Sequence, residues 1–335
     1  MGKRQFLLVL SALVACFLVL SLFFFYESRT IAPEDPSPAD RYRIQVVLKA
    51  RANPPDFWRI VEMGVDVAAE EFGVYCEVSG PEQEIDVDTQ IELVRAAIAK
   101  KPDALILAAG DYERLAPICE EAAKAGILIV VVDSDVDSDQ KRALVATDNY
   151  ELGSKLAQLV DELIGPEDAF GVVSHVKNVT TAIEREQGLL ENVQNASRRL
   201  VGIAYCDSSI QTAKEQTIAM LRENPQIRCM VGLNESSALG IAYGIQELGL
   251  AGEVQIVACD SSQEQIQFME NGTIQACVVQ NPFNMGYLSV QAAVDLLDGK
   301  KVEEYINTGS VIVTKRDLYK KENQKLLFPF TDEDG

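Results

Sequence analysis

A set of polar residues lies at or soon after the ends of short apolar runs that have strand composition. These residues are Asp133, Thr147, Arg185, Asn234, Asp260 and Gln280. In open α/β sheets the carboxyl ends of the strands face the ligand. Each residue alone also fits a helix N-cap or turn position, but together their carboxylates, amides and guanidinium match the donors and acceptors of a ring of hydroxyl groups. The set therefore predicts a hydrogen-bonding site for a polyol.

Two aromatic residues, Phe57 and Trp58, open a helical pattern ahead of this set. Their rings could cover the apolar C–H face of a cyclic polyol, although such a pair is also typical of a hydrophobic core.

No catalytic motif accompanies these residues. The chain has no G-x-S-x-G, Walker loop or H-E-x-x-H motif, and its single histidine, His175, excludes a metal site with several histidine ligands. Asp133 and Asp260 would suit glycoside hydrolysis only if they faced each other at hydrolytic spacing. His175 lies at a strand end, where it could edge the cleft, but a structural or exposed histidine is favoured. We therefore expect binding without catalysis, with no cofactor and no metal.

The net charge and the cysteines narrow the possible class of protein further. The formal net charge of −21 argues against nucleic acid as a partner. The seven cysteines include no C-x-x-C pair, and a disulfide that involves Cys76 or Cys206 would suit an exported protein. Four cysteines lie in apolar stretches and are expected to be buried as free thiols: Cys119, Cys229, Cys259 and Cys277.

The N-terminus predicts export. Lys3 and Arg4 precede an uncharged apolar run over residues 6–26, and about 20 such residues span a bilayer. The positive-inside rule then places the rest of the chain outside the cytoplasm. Residues 1–26 are expected to form a membrane anchor or signal segment, and the Pro-rich residues 27–40 a linker.

Residues 13–16 also resemble a lipobox, so Cys16 is a candidate for lipidation. An uncleaved anchor is favoured because the residues after Cys16 stay apolar, and a cleaved signal peptide is the third possibility.

Strand-like runs alternate with helical patterns from residue 43 onward, which is typical of βαβ units and parallel sheets. The pattern starts again near Gly171, so two similar α/β lobes are predicted. A helix near Gly286–Leu297 and a strand near Val311–Val313 come after both lobes have been traced. The chain must therefore cross between the lobes more than once. Residues 317–335 are polar and are expected to form a loosely held tail.

An ordered series of motifs runs along residues 41–315. It comprises Asp56-Phe57-Trp58, Val131-Val132-Asp133, Ala146-Thr147-Asp148-Asn149, Glu184-Arg185, Leu233-Asn234-Glu235, Val257-Ala258-Cys259-Asp260 and Val279-Gln280-Asn281-Pro282. This series resembles the ribose-type sugar-binding proteins of ABC importers, in the type I periplasmic-binding-protein superfamily.

The resemblance implies two Rossmann-like lobes with parallel sheets, joined by a three-segment hinge. The N-terminal lobe would comprise residues 41–147 and 281–309, and the C-terminal lobe residues 148–280 and 310–316. Three groups would surround a monosaccharide: the rings of Phe57 and Trp58, Asp133 and Thr147 of the first lobe, and Arg185, Asn234, Asp260 and Gln280 of the second.

Three features depart from the ribose binders. Ser134 stands where they have arginine, the asparagine expected near Pro55 is absent or displaced to Asn53, and basic residues at Lys49 and Arg51 stand where a small hydroxyl residue is usual. These departures disfavour ribose itself. Lys49 is kept as a candidate for a ligand carboxylate or phosphate, but a solvated charge at the rim is favoured for both basic residues.

The implied function is extracytoplasmic binding of a monosaccharide or similar polyol by a monomeric clamp, held at the outer face of the cell membrane. Its partner would be the permease of an ABC sugar importer. Two alternatives stay open: a membrane-anchored sensor that acts on a histidine kinase, and a receptor for an autoinducer-2-like ligand.

Overall fold

The computed structural model describes residues 42–51 and 56–328, together with the isolated residues Gly2 and Phe17. The predicted linker and Cys16 lie outside the described residues, as does the predicted anchor apart from those two positions. In the part of the chain that is described, no helix combines the length and apolarity that crossing a membrane requires.

Strands and helices alternate along most of the described chain. The strands are β1 (Arg43–Val47), β2 (Tyr75–Ser79), β3 (Ala104–Leu107), β4 (Leu128–Val132), β5 (Lys141–Ala146), β6 (Ala169–Ser174), β7 (Leu200–Tyr205), β8 (Ile227–Gly232), β9 (Gln255–Cys259), β10 (Ala276–Gln280), β11 (Tyr305–Asn307) and β12 (Ser310–Thr314). The helices are α1 (Asp56–Phe72), α2 (Val87–Ala99), α3 (Ala116–Lys124), α4 (Asn149–Leu163), α5 (Thr180–Asn192), α6 (Ala196–Arg199), α7 (Ile210–Glu223), α8 (Glu235–Leu248), α9 (Gln263–Glu270), α10 (Pro282–Leu297) and α11 (Lys321–Leu327).

The strands form two sheets with the same arrangement. The first has the order β2-β1-β3-β4-β5-β11 and the second β7-β6-β8-β9-β10-β12. Neighbouring strands are parallel, except that β12 runs antiparallel to β10. The predicted α/β lobes are therefore present, with one antiparallel edge strand that the prediction of parallel sheets did not include.

Both faces of each sheet are covered. In β3, Ile106 packs in one hydrophobic cluster and Leu105 and Leu107 pack in another. Strands buried on both faces are continuously apolar rather than alternating. This burial explains the continuous apolar runs from which the strands were predicted.

Helix α10 belongs to the first lobe because it packs closely against α1. A Cβ atom on Gly64 of α1 would lie 2.1 Å from the Phe283 carbonyl oxygen, and one on Gly286 of α10 would lie 2.0 Å from the Val61 carbonyl oxygen. The two glycines thus allow backbone contact between the helices. After α10, β11 completes the first sheet and β12 joins the second, so the described chain passes between the sheets three times.

The segment after β12, as far as Phe328, is not the loosely held tail that its polarity predicted. Residues Lys321–Leu327 form helix α11, and Leu318 and Leu327 are buried in the core of the second lobe. Leu326 and Phe328 pack against the same core, so the apolar residues of this otherwise charged segment dock it on the lobe. Strand β11, which was not predicted, is only three residues long and carries no periodic pattern.

The cysteines among the described residues are free thiols. Cys119, Cys229, Cys259 and Cys277 are buried as predicted, and no disulfide involves Cys76 or Cys206. Burial raises the pKa of the Cys119 and Cys206 thiols to about 12. These thiols therefore act as small core side chains.

Candidate functional site

A cavity lies between the carboxyl ends of the strands of the two sheets. It is lined by Lys49, Phe57, Trp58, Glu84, Asp133, His175, Thr181, Arg185, Asn234, Glu235, Asp260 and Gln280. Residues that follow β1 and β4 come from the first sheet, and residues that follow β6, β8 and β9 come from the second. The repeated sheet topology thus directs two sets of strand ends at one space.

The structure brings all the predicted ligand-binding residues except Thr147 to this cavity. Thr147 is buried beside it, in an adjoining cleft that Asp133 also lines. Its Oγ1 lies 3.4 Å from the Thr308 Oγ1 and from the Gly309 carbonyl oxygen. Thr147 therefore contacts another interlobe connection and does not line the cavity. Asn53 lies outside the described residues.

Lys49 forms a buried ion pair with Asp133. The distance from Lys49 Nζ to Asp133 Oδ2 is 2.8 Å, and the two side chains are only 3% and 5% exposed. The same Nζ lies 5.6 Å from the centre of the Trp58 ring. The expectation of a solvated rim charge is therefore wrong for Lys49, although Arg51 is half-exposed and pairs with Glu62. Because Asp133 already neutralises Lys49, the ammonium is not a free anion receptor.

Asp260 is the corresponding carboxylate of the second lobe. Its Oδ1 accepts a hydrogen bond of 2.7 Å from Gln280 Nε2, and its Oδ2 accepts one of 3.0 Å from the Glu235 backbone N–H. Burial raises the pKa of Asp260, while the Arg185 guanidinium and the Gln280 amide act in the opposite direction. Both carboxylates are thus held in fixed positions by donors from the protein.

Asp133 and Asp260 share an unusual backbone conformation, with φ values of 64° and 69°. Non-glycine residues rarely adopt this left-handed region, and such conformations concentrate at functional sites. The backbone N–H groups still bond the neighbouring strands, at Val145 O and Val278 O. Each strand therefore keeps its register while its last turn directs a carboxylate into the cavity.

Two nitrogens of the Arg185 guanidinium donate hydrogen bonds to other residues of the protein. Its Nε donates to Asn149 Oδ1 at 2.9 Å and its Nη1 donates to the Leu233 carbonyl oxygen at 2.7 Å. These bonds tie α5 to α4 and to the end of β8. They fix the guanidinium plane at the cavity wall, which makes its remaining donors directional.

Asn234 combines the two roles that the sequence left open. Its Oδ1 caps α8 by accepting from the Ser237 N–H at 2.9 Å, and its Nδ2 lies 3.4 Å from Ser208 Oγ. The side chain lines the cavity while it caps the helix.

Sequence reasoning did not select Glu84 or Glu235. Glu84 accepts hydrogen bonds from Trp58 Nε1 and from Ser208 Oγ of the second lobe. Glu235 Oε2 accepts from the Phe57 backbone N–H at 3.2 Å. Each glutamate therefore binds a donor of the opposite lobe. Glu235 directly follows Asn234 and was within reach of the strand-end rule, whereas Glu84 lies in an irregular loop after β2 and gives no signal.

His175 and Thr181 are the other lining residues that were not selected. His175 follows β6, is buried, and has its Nε2 2.9 Å from Thr181 Oγ1. Desolvation, with a smaller contribution from the cations Arg185 and Lys49, holds the pKa of His175 well below its ordinary value. The imidazole is therefore neutral, and it lies at the cavity wall, which was the less favoured of the two places considered for it.

Among the described residues, no group of three or more histidine, cysteine or carboxylate side chains is arranged to hold a metal ion. The clustered polar groups are instead those of a hydrogen-bonding site.

The chain was compared with protein families and with known proteins. Residues 44–301 match the family described as the periplasmic binding protein domain. The D-ribose/D-allose-binding protein of Pseudomonas aeruginosa is 27% identical over 279 residues, which are 81% of this chain and 85% of that protein.

Two solved structures extend this similarity. A sugar transporter from Clostridium phytofermentans is 37% identical, with a TM-score of 0.77 over 82% of this chain and 99% of that chain. An ABC transporter solute binding protein from Agrobacterium vitis with bound D-fucose is 31% identical, with a TM-score of 0.82 over 85% of this chain and 100% of that chain.

The chain therefore belongs to the periplasmic binding protein family. This result confirms the family that the ordered motifs indicated, and it places the chain among binding proteins and not among enzymes.

The Lys49–Asp133 pair gives a first testable prediction. Lys49→Met leaves the Asp133 carboxylate buried and unpaired, so we expect the free energy of unfolding to fall by about 3–5 kcal/mol. Adding Asp133→Asn removes the stranded charge, so the double variant should lose less stability than the two single variants together. Urea denaturation of the exported domain measures these values.

Lys300→Met serves as the control for this cycle because the Lys300–Asp295 pair is on the surface and should contribute little. Additive losses in the double variant, or an unchanged Lys49→Met protein, would contradict the assignment of a coupled buried pair.

The buried His175 gives a prediction for pH. Its folded-state pKa lies below 6.5, so its neutral form stabilises the fold above pH 6.5, and this stability is lost as the pH falls toward the folded pKa. Between pH 7.5 and 5.5 the wild type should therefore lose about 1 kcal/mol relative to His175→Gln. His175 is the only histidine in the sequence, so the difference between the two pH profiles isolates it. Parallel profiles would be inconsistent with a buried neutral imidazole.

Proposed function

We propose that this chain binds a monosaccharide or a similar polyol between its lobes, as the extracytoplasmic substrate-binding component of an ABC sugar importer. The observation that carries the proposal is the pair of buried carboxylates, Asp133 and Asp260, each held at a strand end by protein donors. A carboxylate accepts hydrogen bonds from adjacent hydroxyls. Phe57 and Trp58 supply apolar surface in the same cavity.

The charge of the site favours a neutral ligand. Lys49 is paired with Asp133, and the charge of Arg185 acts on Asp260, so each cation already compensates a buried carboxylate. A ligand carboxylate or phosphate would also approach Glu84, which lines the cavity and accepts its bonds from neutral donors. We therefore favour a neutral sugar over a sugar acid or a sugar phosphate.

The relatives support a sugar and an import role. One is named as a D-ribose/D-allose-binding protein, and a related solute binding protein was solved with bound D-fucose. D-Allose, D-ribose and D-fucose are therefore the first ligands to test. The import role is proposed over sensing because the related solved structures are described as parts of transporters.

The proposed mechanism is closure of the two lobes around the sugar. The bonds of Glu84 to Ser208 and of Phe57 to Glu235 join the lobes beside the cavity, and Tyr112 N–H donates to Asn178 O at 3.1 Å across the same cleft. Rotation about the three interlobe connections would break these bonds and open the site. The closed form buries the sugar, so an unmatched hydroxyl becomes costly.

We also propose that the apolar residues 6–26 hold the domain at the outer face of the membrane. The support is the basic Lys3 and Arg4 ahead of an uncharged run of bilayer length. Either an uncleaved helix or a lipid on Cys16 would serve as the attachment.

Asp260→Ala tests the site assignment. The variant removes a charged acceptor for sugar hydroxyls, and hydrogen bonds to charged groups contribute about 1.5–3 kcal/mol each. With two such bonds lost, sugar affinity should fall more than about a hundredfold. The sugar-induced rise in melting temperature should therefore disappear, as measured by a thermal-shift screen with D-allose, D-ribose and D-fucose.

Glu253→Ala removes an exposed carboxylate and should keep the full sugar-induced shift. The site assignment fails if Asp260→Ala keeps the shift as well. The proposed function fails if no sugar in a wider panel of pentoses, hexoses and inositols stabilises the wild-type protein.

A further inference from the structure

The cavity wall contains buried polar atoms that have no hydrogen-bond partner among the described residues. They are Nδ1 of His175 and Oε1 of Gln280. Both side chains are at least nine-tenths buried, and both line the cavity. Buried polar groups in folded proteins are nearly always hydrogen-bonded, so two such atoms in one cavity require an explanation. Gln280 was expected to bind the ligand, whereas His175 was not.

The protein holds the His175 ring in one orientation. His175 follows the last residue of β6. Its Nε2 lies 2.9 Å from the hydroxyl of Thr181, near the start of α5. Thr181 is buried and lines the same cavity. One ring nitrogen is thus engaged by the protein, while the other has no partner in the described chain.

The protonation state of the ring determines which ligand group it can bind. Desolvation, with smaller contributions from Arg185 and Lys49, lowers the pKa of His175, so the ring carries one N–H and one lone pair. The Thr181 hydroxyl can donate to Nε2 or accept from it. Nδ1 is accordingly a donor in one tautomer and an acceptor in the other. A hydroxyl group can satisfy both tautomers, whereas a carboxylate or an ammonium can satisfy only one.

We infer that His175 is a ligand-binding residue whose Nδ1 bonds a hydroxyl group of the bound polyol, with Thr181 fixing the orientation of the ring. The inference rests on the proposed function, since it assumes that a polyol occupies this cavity. It adds a neutral donor or acceptor on the second lobe, in a cavity that the cations Arg185 and Lys49 also line. The ring would thereby sense the configuration of one hydroxyl without adding charge to the site.

The most direct test is nuclear magnetic resonance of protein labelled with ¹⁵N-histidine. Because the sequence has one histidine, the two imidazole nitrogen signals belong to His175 without further assignment. The probe is whichever of D-allose, D-ribose and D-fucose gives the largest thermal shift. We expect the Nδ1 signal to move when that sugar binds. A sugar that stabilises the protein but leaves Nδ1 unchanged would overturn the inference, whereas a protein that no sugar stabilises would overturn the proposed function itself.

A pair of variants separates binding from a purely structural role. Glutamine places its amide near the position of Nε2 and asparagine places its amide near Nδ1. We therefore expect His175→Gln to keep the Thr181 contact and a melting temperature close to the wild type, but to bind the sugar about tenfold or more weakly. His175→Asn should lose more stability and keep more of the affinity. The opposite order of affinities, or unchanged affinity in His175→Gln, contradicts the inference.

Thr217→Val is the matched control. Thr217 is a buried threonine of the same lobe whose hydroxyl donates to the Ala213 carbonyl oxygen at 2.8 Å, and it does not line the cavity. The variant should lower the melting temperature and leave the dissociation constant for the sugar unchanged. An equal loss of affinity in Thr217→Val and His175→Gln would show that destabilisation alone weakens binding, and would overturn the role given to His175.

Discussion

The site depends on keeping carboxyl groups buried in a cleft between two lobes. An isolated buried charge is costly, and it is tolerated only when it is paired and hydrogen-bonded. Asp133 meets this requirement through Lys49, and Asp260 meets it through Gln280 and the Glu235 backbone N–H, with Arg185 nearby. Much of the surrounding framework positions these donors. Arg185, for example, is held by bonds to Asn149 and to the β8 end.

This arrangement results from a topology that is repeated in the two sheets. Each lobe has the same strand order, and in each lobe an aspartate follows a buried strand in a left-handed backbone conformation. The contacts that complete the cavity then come from the opposite lobe, as when Glu84 accepts from Ser208 and Glu235 accepts from the Phe57 N–H. Cavity formation and lobe closure are consequently one event, and a polyol that supplies hydroxyls to both aspartates would stabilise the closed form.

Much of this fold and site was predictable from the sequence. Strands buried on both faces appear as apolar runs, and the polar residue after each run, such as Asn234 or Asp260, could be located before the sheets were known. Thr147 is the exception, because its hydroxyl meets Thr308 of another interlobe connection instead of the cavity.

The features of the site that could not be predicted from the sequence depend on contacts between distant parts of the chain. The burial of Lys49 follows from Asp133, which is far away in sequence, and no local pattern near Lys49 indicates it. Glu84 lies in an irregular loop and acquires its place only when Ser208 approaches from the second lobe. His175 could be located at a strand end, but its orientation depends on Thr181 of α5. Pairings of this kind arise from tertiary structure and not from periodicity.

The proposed site requires that one neutral sugar occupies the cavity and is bound by both lobes at once. A crystal structure of the exported domain with the most stabilising sugar tests it most directly. We expect a single sugar whose hydroxyls lie within hydrogen-bond distance of Asp133 on one side and of Asp260 on the other, with the Trp58 or Phe57 ring against its apolar face. A sugar bound elsewhere, or one that contacts the residues of a single lobe in a closed protein, would contradict it.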